Sequence, residues 1–167
     1  MSLYLIANGP MPTTAAQAVV ATGTTIKTML QVKPFNIARV VEWGISFSGF
    51  AAAAPIQVEL LETDVAATVT ASVDADITKL GPGVLDQAVA SIAGLTLGIA
   101  ATGYTSTAEG VITSVRMLDV QLIAPTNQYV KQFPLGMGPV IQVAKFGRIR
   151  VTAAATVNAY CYMILDI

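Results

Sequence analysis

Apolar and polar residues alternate with a period of two along most of this chain. In residues 37–47 the odd positions form an apolar face, made of Val41, Trp43, Ile45 and Phe47. Residues 112–123 alternate in the same way, with an apolar face of Leu118, Val120 and Leu122. Further stretches with this pattern are 24–32, 56–60 and 157–165. Alternation over such lengths predicts half-buried β-strands.

Glycine and proline separate these stretches along the whole chain, as in Gly81-Pro82-Gly83 and Gly138-Pro139. Seven or eight short strands bounded by such turns predict an all-β fold, an antiparallel β-sandwich, of which the jelly roll is the variant with eight strands. Strand number alone does not separate a jelly roll from an immunoglobulin topology. Residues 64–110 are rich in Ala, Thr and Gly and are predicted to be a long excursion between the sheet halves, with a short helix possible over 84–93.

One domain is expected over residues 24–167, and residues 1–23 form either an N-terminal arm or a first strand. The segment Leu3, Tyr4, Leu5 and Ile6 is apolar and is followed by a proline-rich bend. Such a segment could dock on the sheet edge of a neighbouring subunit or pair within its own sheet. Both alternatives stay open at this point.

Charge is scarce in this sequence. Charged residues make up 11% and hydrophobic residues 54%, against about 25% charged residues in a typical domain. The net charge of −1 and the single cysteine argue against a nucleic-acid binder that relies on bulk charge and against a disulfide scaffold. Some of the apolar surface is therefore expected to contact other protein.

Residues 87–108 carry no charge, which raises the question of a membrane span. Glycine, serine and threonine interrupt the apolar run, and its neighbours Asp86 and Glu109 are acidic rather than basic. A buried or interface segment is the preferred interpretation, because spanning helices are usually flanked by basic residues. The N-terminus has no basic region of the kind that opens a signal peptide.

Few residues in this sequence are suited to catalysis. The chain has no histidine, which removes the common Ser-His-Asp and Cys-His arrangements, and it has no phosphate-binding loop. Glu42 and Glu59 are expected to be solvated outward charges, and Asp74 and Asp76 to belong to a polar loop rather than a calcium site. We therefore expect no enzyme and no catalytic, cofactor-binding or metal-binding residues.

Candidate interface residues lie near the C-terminus as well. Arg148 and Arg150 share one strand face, either as edge-strand charges that discourage pairing or as partners in a subunit salt bridge. Tyr160 and Tyr162 share the face opposite Cys161, and each offers contact area plus a hydroxyl group to a partner. Trp43 and Cys161 are expected in the core.

Three stretches resemble head decoration (cement) proteins of tailed bacteriophages, particularly phages of actinobacteria: residues 41–50 (VEWGISFSGF), 55–69 (PIQVELLETDVAATV) and 129–136 (YVKQFPLG). The resemblance implies a jelly-roll-like domain, often a homotrimer, bound to the major capsid protein on the outside of an icosahedral head. The implied location is thus the virion exterior, after synthesis in the bacterial cytoplasm. It implies no active-site residues, no nucleic acid and no membrane.

Two other functions are compatible with the same residues. One is a carbohydrate- or receptor-binding jelly-roll domain of a phage tail or fibre, which would present aromatic clusters in its loops. The other is a coat protein that builds a shell by itself.

Overall fold

The computed structural model of the chain describes residues 2–49, 54–80 and 94–167. These residues form thirteen β-strands and a single 3-10 turn, Asp74–Asp76. The strands are β1 (Leu3–Ala7), β2 (Val20–Ala21), β3 (Lys27–Val32), β4 (Ala38–Ser48), β5 (Ile56–Thr63), β6 (Thr68–Ala71), β7 (Ile77–Leu80), β8 (Gly103–Ala108), β9 (Val115–Ile123), β10 (Gln128–Gln132), β11 (Val140–Ile141), β12 (Phe146–Thr152) and β13 (Asn158–Asp166).

The strands form two antiparallel sheets. The seven-stranded sheet has the order β10-β4-β13-β1-β7, with β11 paired to β4 and β2 paired to β13. The six-stranded sheet has the order β6-β8-β3-β12-β5-β9. Alternate residues of both sheets fill one hydrophobic core, which includes Trp43, Leu60, Ile149 and Met163. The predicted all-β class and antiparallel β-sandwich are confirmed.

The N-terminal segment is a strand of its own sheet. β1 lies between β13 and β7 and pairs with both. Tyr4 is 2% exposed and Ile6 is fully buried, so these side chains belong to the core of the same chain. Of the two alternatives left open for this segment, the structure contains the first strand rather than an arm on a neighbour.

A β-bulge changes the predicted core face of β4. Trp43, Ile45 and Phe47 are buried as predicted, but Val41 is only partly buried and Val40 takes the core position. Along β13, Ile164 pairs with Glu42 and Leu165 pairs with Val40, so that Val41 has no partner. Because of this extra residue, the even-numbered positions of β4 before the bulge face the core, whereas the odd-numbered positions after it do.

The apolar face predicted for β9 points away from the core. Val120 is 40% and Leu122 is 72% exposed, whereas Leu118 packs against the core cluster. Gln121 lies opposite the core residue Val58, on the inner side. The alternation is therefore present, but because β9 is at the edge of its sheet, its outer face can be apolar without being covered by the chain.

The stretch 64–110 supplies strands to both sheets. β6 and β8 extend the six-stranded sheet, and β7 forms one edge of the seven-stranded sheet. The helix considered over 84–93 falls outside the described residues. In the parts of the chain that the structure describes, no helix has the length and apolar character needed to cross a membrane.

Candidate interaction surface

The outer side of the seven-stranded sheet is built from the residues that alternate with the core positions. Leu5 pairs with Ile164, and Tyr162 pairs with Gly44, which in turn pairs with Val130. Residues directly opposite each other on paired strands project on the same side of the sheet. We call this surface the apolar face; its apolar and aromatic residues are Leu3, Leu5, Gly44, Val130, Tyr160, Tyr162 and Ile164, and the polar residues Glu42, Ser46, Gln128 and Asp166 lie on the same side.

Tyr162 is held in one position at the centre of the apolar face. A Cβ atom added to Gly44 would lie 2.7 Å from a ring carbon of Tyr162, so the ring occupies the space that a side chain at residue 44 would fill. The Tyr162 hydroxyl donates a hydrogen bond of 2.6 Å to Glu42. Burial, followed by this contact with Glu42, raises the pKa of Tyr162, and the phenol is protonated at neutral pH.

Tyr160 extends this aromatic surface. Its ring centroid lies 6.2 Å from that of Tyr162, with 33° between the ring planes. Both rings border a shallow depression of about 230 Å³, lined by Ile45, Ser46, Gln128, Val130, Tyr160 and Tyr162. The surface thus combines aromatic area with hydroxyl and amide groups, which suits contact with protein and also with polar ligands.

Four of the predicted interface residues meet on the apolar face: Leu3, Leu5, Tyr160 and Tyr162. All four side chains are partly exposed. Tyr4 and Ile6, predicted with them, project into the core because they occupy the alternate positions of β1. The prediction that these two side chains contact a partner is wrong for the folded chain, since neither reaches the surface.

The arginines of β12 occupy a different environment. β12 pairs with β3 on one side and β5 on the other, so the interpretation of Arg148 and Arg150 as edge-strand charges is wrong. Arg150 Nε lies 2.7 Å from a Glu59 carboxylate oxygen, and both side chains are largely buried. This ion pair joins neighbouring strands of one chain rather than two subunits.

Arg148 is fully buried beneath the segment 64–67, which connects β5 to β6. Its guanidinium donates to the carbonyl oxygen of Val65 and lies 3.3 Å from a carboxylate oxygen of Glu109. Burial lowers the pKa of Arg148, whereas the nearby charge of Glu109 opposes this shift. Arg148 therefore stabilises the fold of its own subunit and offers no surface to another.

Glu109 was not singled out as a functional candidate from the sequence, although its carboxylate contacts residues of the three strands β3, β8 and β12. Its carboxylate accepts hydrogen bonds from the Thr28 backbone and hydroxyl, both at 2.6 Å, and from Ser106 at 2.5 Å. Thr28 and Glu109 are 81 residues apart, and no local sequence pattern predicts a contact over that separation. We call the outer side of the six-stranded sheet around Gln31, Glu59, Glu109, Arg148 and Arg150 the polar face.

Gln31 completes the polar face. Its side chain lies on the outer side of the sheet, opposite Arg148, but is fully buried. The amide donates to Ala101 O at 2.6 Å and accepts from Ala67 N at 2.8 Å. The chain thus covers this outer face with its own loops and satisfies the Gln31 amide with hydrogen bonds, whereas Nε of the buried Arg148 has no hydrogen-bond partner.

The carboxylates considered from the sequence do not assemble into a site. Glu42 lies in the seven-stranded sheet and Glu59 in the six-stranded sheet, so they are not on neighbouring strands. Asp76 accepts hydrogen bonds from the backbone of Met11 and Val73, each at 2.9 Å. Among the described residues, no three His, Cys, Asp or Glu side chains are grouped to hold a metal ion. Cys161 is buried, and burial raises the pKa of its thiol.

No protein-family model, curated protein or solved structure matches this chain. These comparisons add no support to the resemblance to phage decoration proteins, which stays a prediction from the sequence stretches quoted above. The structural observations that bear on function are therefore those on the two outer faces of the sandwich.

Proposed function

We propose that this protein is a structural virion component, a decoration protein that binds the outside of an icosahedral phage head and bridges neighbouring copies of the major capsid protein. The observation that supports this most is the apolar face, a sheet surface of partly exposed leucine, isoleucine and tyrosine side chains. A surface of this kind gains free energy when it is covered by protein, at about 25 cal/mol for each Å² of apolar area.

The residues of the apolar face suit a protein that binds a partner without catalysing a reaction. Tyrosine supplies contact area and a hydroxyl group, and it is enriched at protein interfaces. Glu42 is already hydrogen-bonded to Tyr162, so covering the face does not leave this carboxylate without a partner. A protein that binds the assembled shell but not its free subunits stabilises the shell by mass action.

Co-sedimentation with phage heads tests this function. The heads are assembled from the cognate major capsid protein in the absence of the decoration protein, and binding of the wild type is compared with that of Leu5→Gln and Ile164→Gln. We expect binding to weaken at least tenfold in both variants. The control is Val111→Gln, a substitution at a residue that is 82% exposed and lies outside the apolar face. Equal binding by all three variants would contradict the role of this face, and no binding by the wild type would contradict the function.

A carbohydrate-binding function is the second candidate, and the depression beside Tyr160 and Tyr162 favours it. Aromatic rings next to Ser46 and Gln128 offer a stacking surface and hydrogen-bonding groups, as sugar sites require. A glycan array separates the two functions. A specific sugar that binds the wild type but not Tyr160→Ala would favour the carbohydrate function, whereas head binding without any sugar would favour decoration.

A further inference from the structure

β3 and β8 are neighbours in the six-stranded sheet, but their backbones pair over only a short stretch. The register contains Leu30 and Gln31 of β3 and does not extend to the residues before them. The backbone N–H of Thr28 donates instead to the side chains of Ser106 at 3.0 Å and Glu109 at 2.6 Å. The two strands therefore separate at Thr28, where side chains replace the strand partner.

The separation coincides with a strained position in β8. The backbone of Thr105 has a φ of 55°, a left-handed conformation that β-branched residues rarely adopt. On the other side of β8, residues 105–107 lie opposite the single residue Val69 of β6, which makes a bulge. Backbone strain of this kind is concentrated at binding and catalytic sites, so the space that opens between β3 and β8 is a candidate binding site.

The space between the separated strands is a cleft of about 410 Å³, lined by residues of the segments 22–27 and 106–109. We call it the β3–β8 cleft. Its volume is within the range of about 300–1,000 Å³ that ligand sites occupy. The hydrogen bonds between Thr28, Ser106 and Glu109 close it at the end where the strands meet. An extended peptide that enters beside β8 can add main-chain hydrogen bonds to the strand, but it has to end at this closed side.

Lys27 is the unpaired charge of the cleft. It directly precedes Thr28 and thus lies at the closed side, where its ammonium group donates to Ala21 O at 2.8 Å. It forms no ion pair with the described residues, and an ammonium group has further N–H donors to offer a ligand. Glu109, in contrast, lies 3.3 Å from Arg148, so its charge is already balanced. The cleft therefore favours a ligand with a carboxylate group.

We propose that the β3–β8 cleft binds the carboxyl-terminal end of an extended chain of a partner protein, with the terminal carboxylate beside Lys27 and the preceding residues along β8. A chain that ends in the cleft meets both conditions, because its last residue carries the carboxylate at the closed side. The proposal does not depend on the decoration function, since the cleft lies between strands of the six-stranded sheet and the apolar face lies on the seven-stranded sheet.

A peptide titration monitored by NMR tests the site. The probe is acetyl-Val-Thr-Ala-Val with a free terminal carboxylate, added to the isotope-labelled protein, and its matched control is the same peptide with a terminal amide. We expect the backbone amide signals of residues 25–28 and 106–109 to shift at millimolar peptide. The amidated peptide should bind about fivefold more weakly, because an exposed ion pair contributes a factor of this size.

Substitution of Lys27 tests which group recognises the carboxylate. Lys27→Met should weaken binding of the free-acid peptide about fivefold and leave binding of the amidated peptide unchanged. The matched control is Lys131→Met, because Lys131 is an exposed lysine of β10 in the other sheet, and this variant should bind both peptides like the wild type. The amide spectrum of each variant verifies that it is folded.

Several outcomes would overturn the proposal. These are no shift of the cleft signals at millimolar peptide, equal affinity for the free acid and the amide, and shifts confined to the surface around Tyr160 and Tyr162. An equal loss of affinity for both peptides in Lys27→Met would also contradict it, because the carboxylate would then not be the group that Lys27 binds.

Discussion

The outer faces of the two sheets arise from the same alternation of residues, but the chain covers one of them and leaves the other partly exposed. On the polar face, the chain covers buried charges with its own loops, as in the contacts of Arg148 with Val65 and Glu109. On the apolar face, Leu5, Tyr160 and Ile164 remain partly exposed. The comparison shows that the chain places several of its few charges inside, where they hold its own segments together, and leaves apolar residues on the opposite surface.

This difference separates the residues that matter for folding from those that matter for binding. Substitutions on the polar face should lower stability, because they leave a buried charge or polar group without its partner. Substitutions on the apolar face should change binding more than stability.

Replacing Arg148 with Met should cause the largest loss. Glu109 would remain in a largely buried site without its cationic partner, and breaking such a pair costs about 3–5 kcal/mol. Urea unfolding monitored by circular dichroism gives the free energy of unfolding. Arg39→Met is the matched control, because this partly exposed arginine donates to the Gly136 carbonyl oxygen and forms no ion pair with the described residues, and a surface substitution of this kind changes stability by about 0.5 kcal/mol or less. Similar losses in both variants would contradict the distinction.

Replacing Asn8 with Ala should loosen the strand that carries Leu3 and Leu5. The Asn8 side chain donates to Ala159 O at 3.2 Å, and its oxygen accepts from Cys161 N at 2.9 Å. Leaving these buried backbone groups unsatisfied costs about 1–3 kcal/mol. Urea unfolding measures the loss, and hydrogen exchange of the Cys161 amide should accelerate. An unchanged exchange rate would show that the side chain does not anchor β1.

Replacing Gly44 with Ala should displace the Tyr162 ring and expose it. Overpacking of this kind costs about 1–3 kcal/mol, and the pKa of Tyr162 should fall toward its ordinary value as the ring leaves its site and loses Glu42. Ultraviolet titration of the phenols measures this shift. Ser46→Ala, on the same strand and face, should leave the titration unchanged. A Gly44→Ala variant with the wild-type titration would contradict the fixed position of the ring.

The smallest effect is expected from acid, which should remove the stabilising contribution of Asp64 at the start of the segment 64–67. Hydrogen bonds from Thr113 and Ser114 lower the pKa of Asp64 from 3.8 to about 2. The stabilising contribution is therefore present above about pH 4 and is lost as the pH falls through about 2. We expect the melting temperature of the Asp64→Asn variant to lack this part of the pH dependence. Thermal melts over about three pH units, from about pH 5 to about pH 2, measure it. A wild-type slope in the variant would show that other carboxylates account for it.

Local pattern was enough to predict the strands β3, β4, β5, β9 and β13 and their alternation, but not the strands β6, β7 and β8 within residues 64–110. The inner positions Trp43, Ile45 and Phe47 were predicted correctly, and Tyr160 and Tyr162 do share an outer face. These predictions succeed because the period of two is a property of the extended backbone itself. A local pattern cannot show which face meets the core, and for this reason the apolar side of β9 was assigned to the wrong side.

Composition and alternation along the chain predict the all-β class, the antiparallel sandwich and the excess of apolar surface, and the absence of histidine excludes histidine-based catalysis. The position of β1 in its own sheet, the bulge that places Val40 rather than Val41 in the core, and the burial of Arg148 follow from the packing of the whole chain. These features depend on strand neighbours and on contacts such as Thr28 with Glu109, which are 81 residues apart. Pairing over such distances is determined by how the whole chain packs, and no short stretch of sequence encodes it.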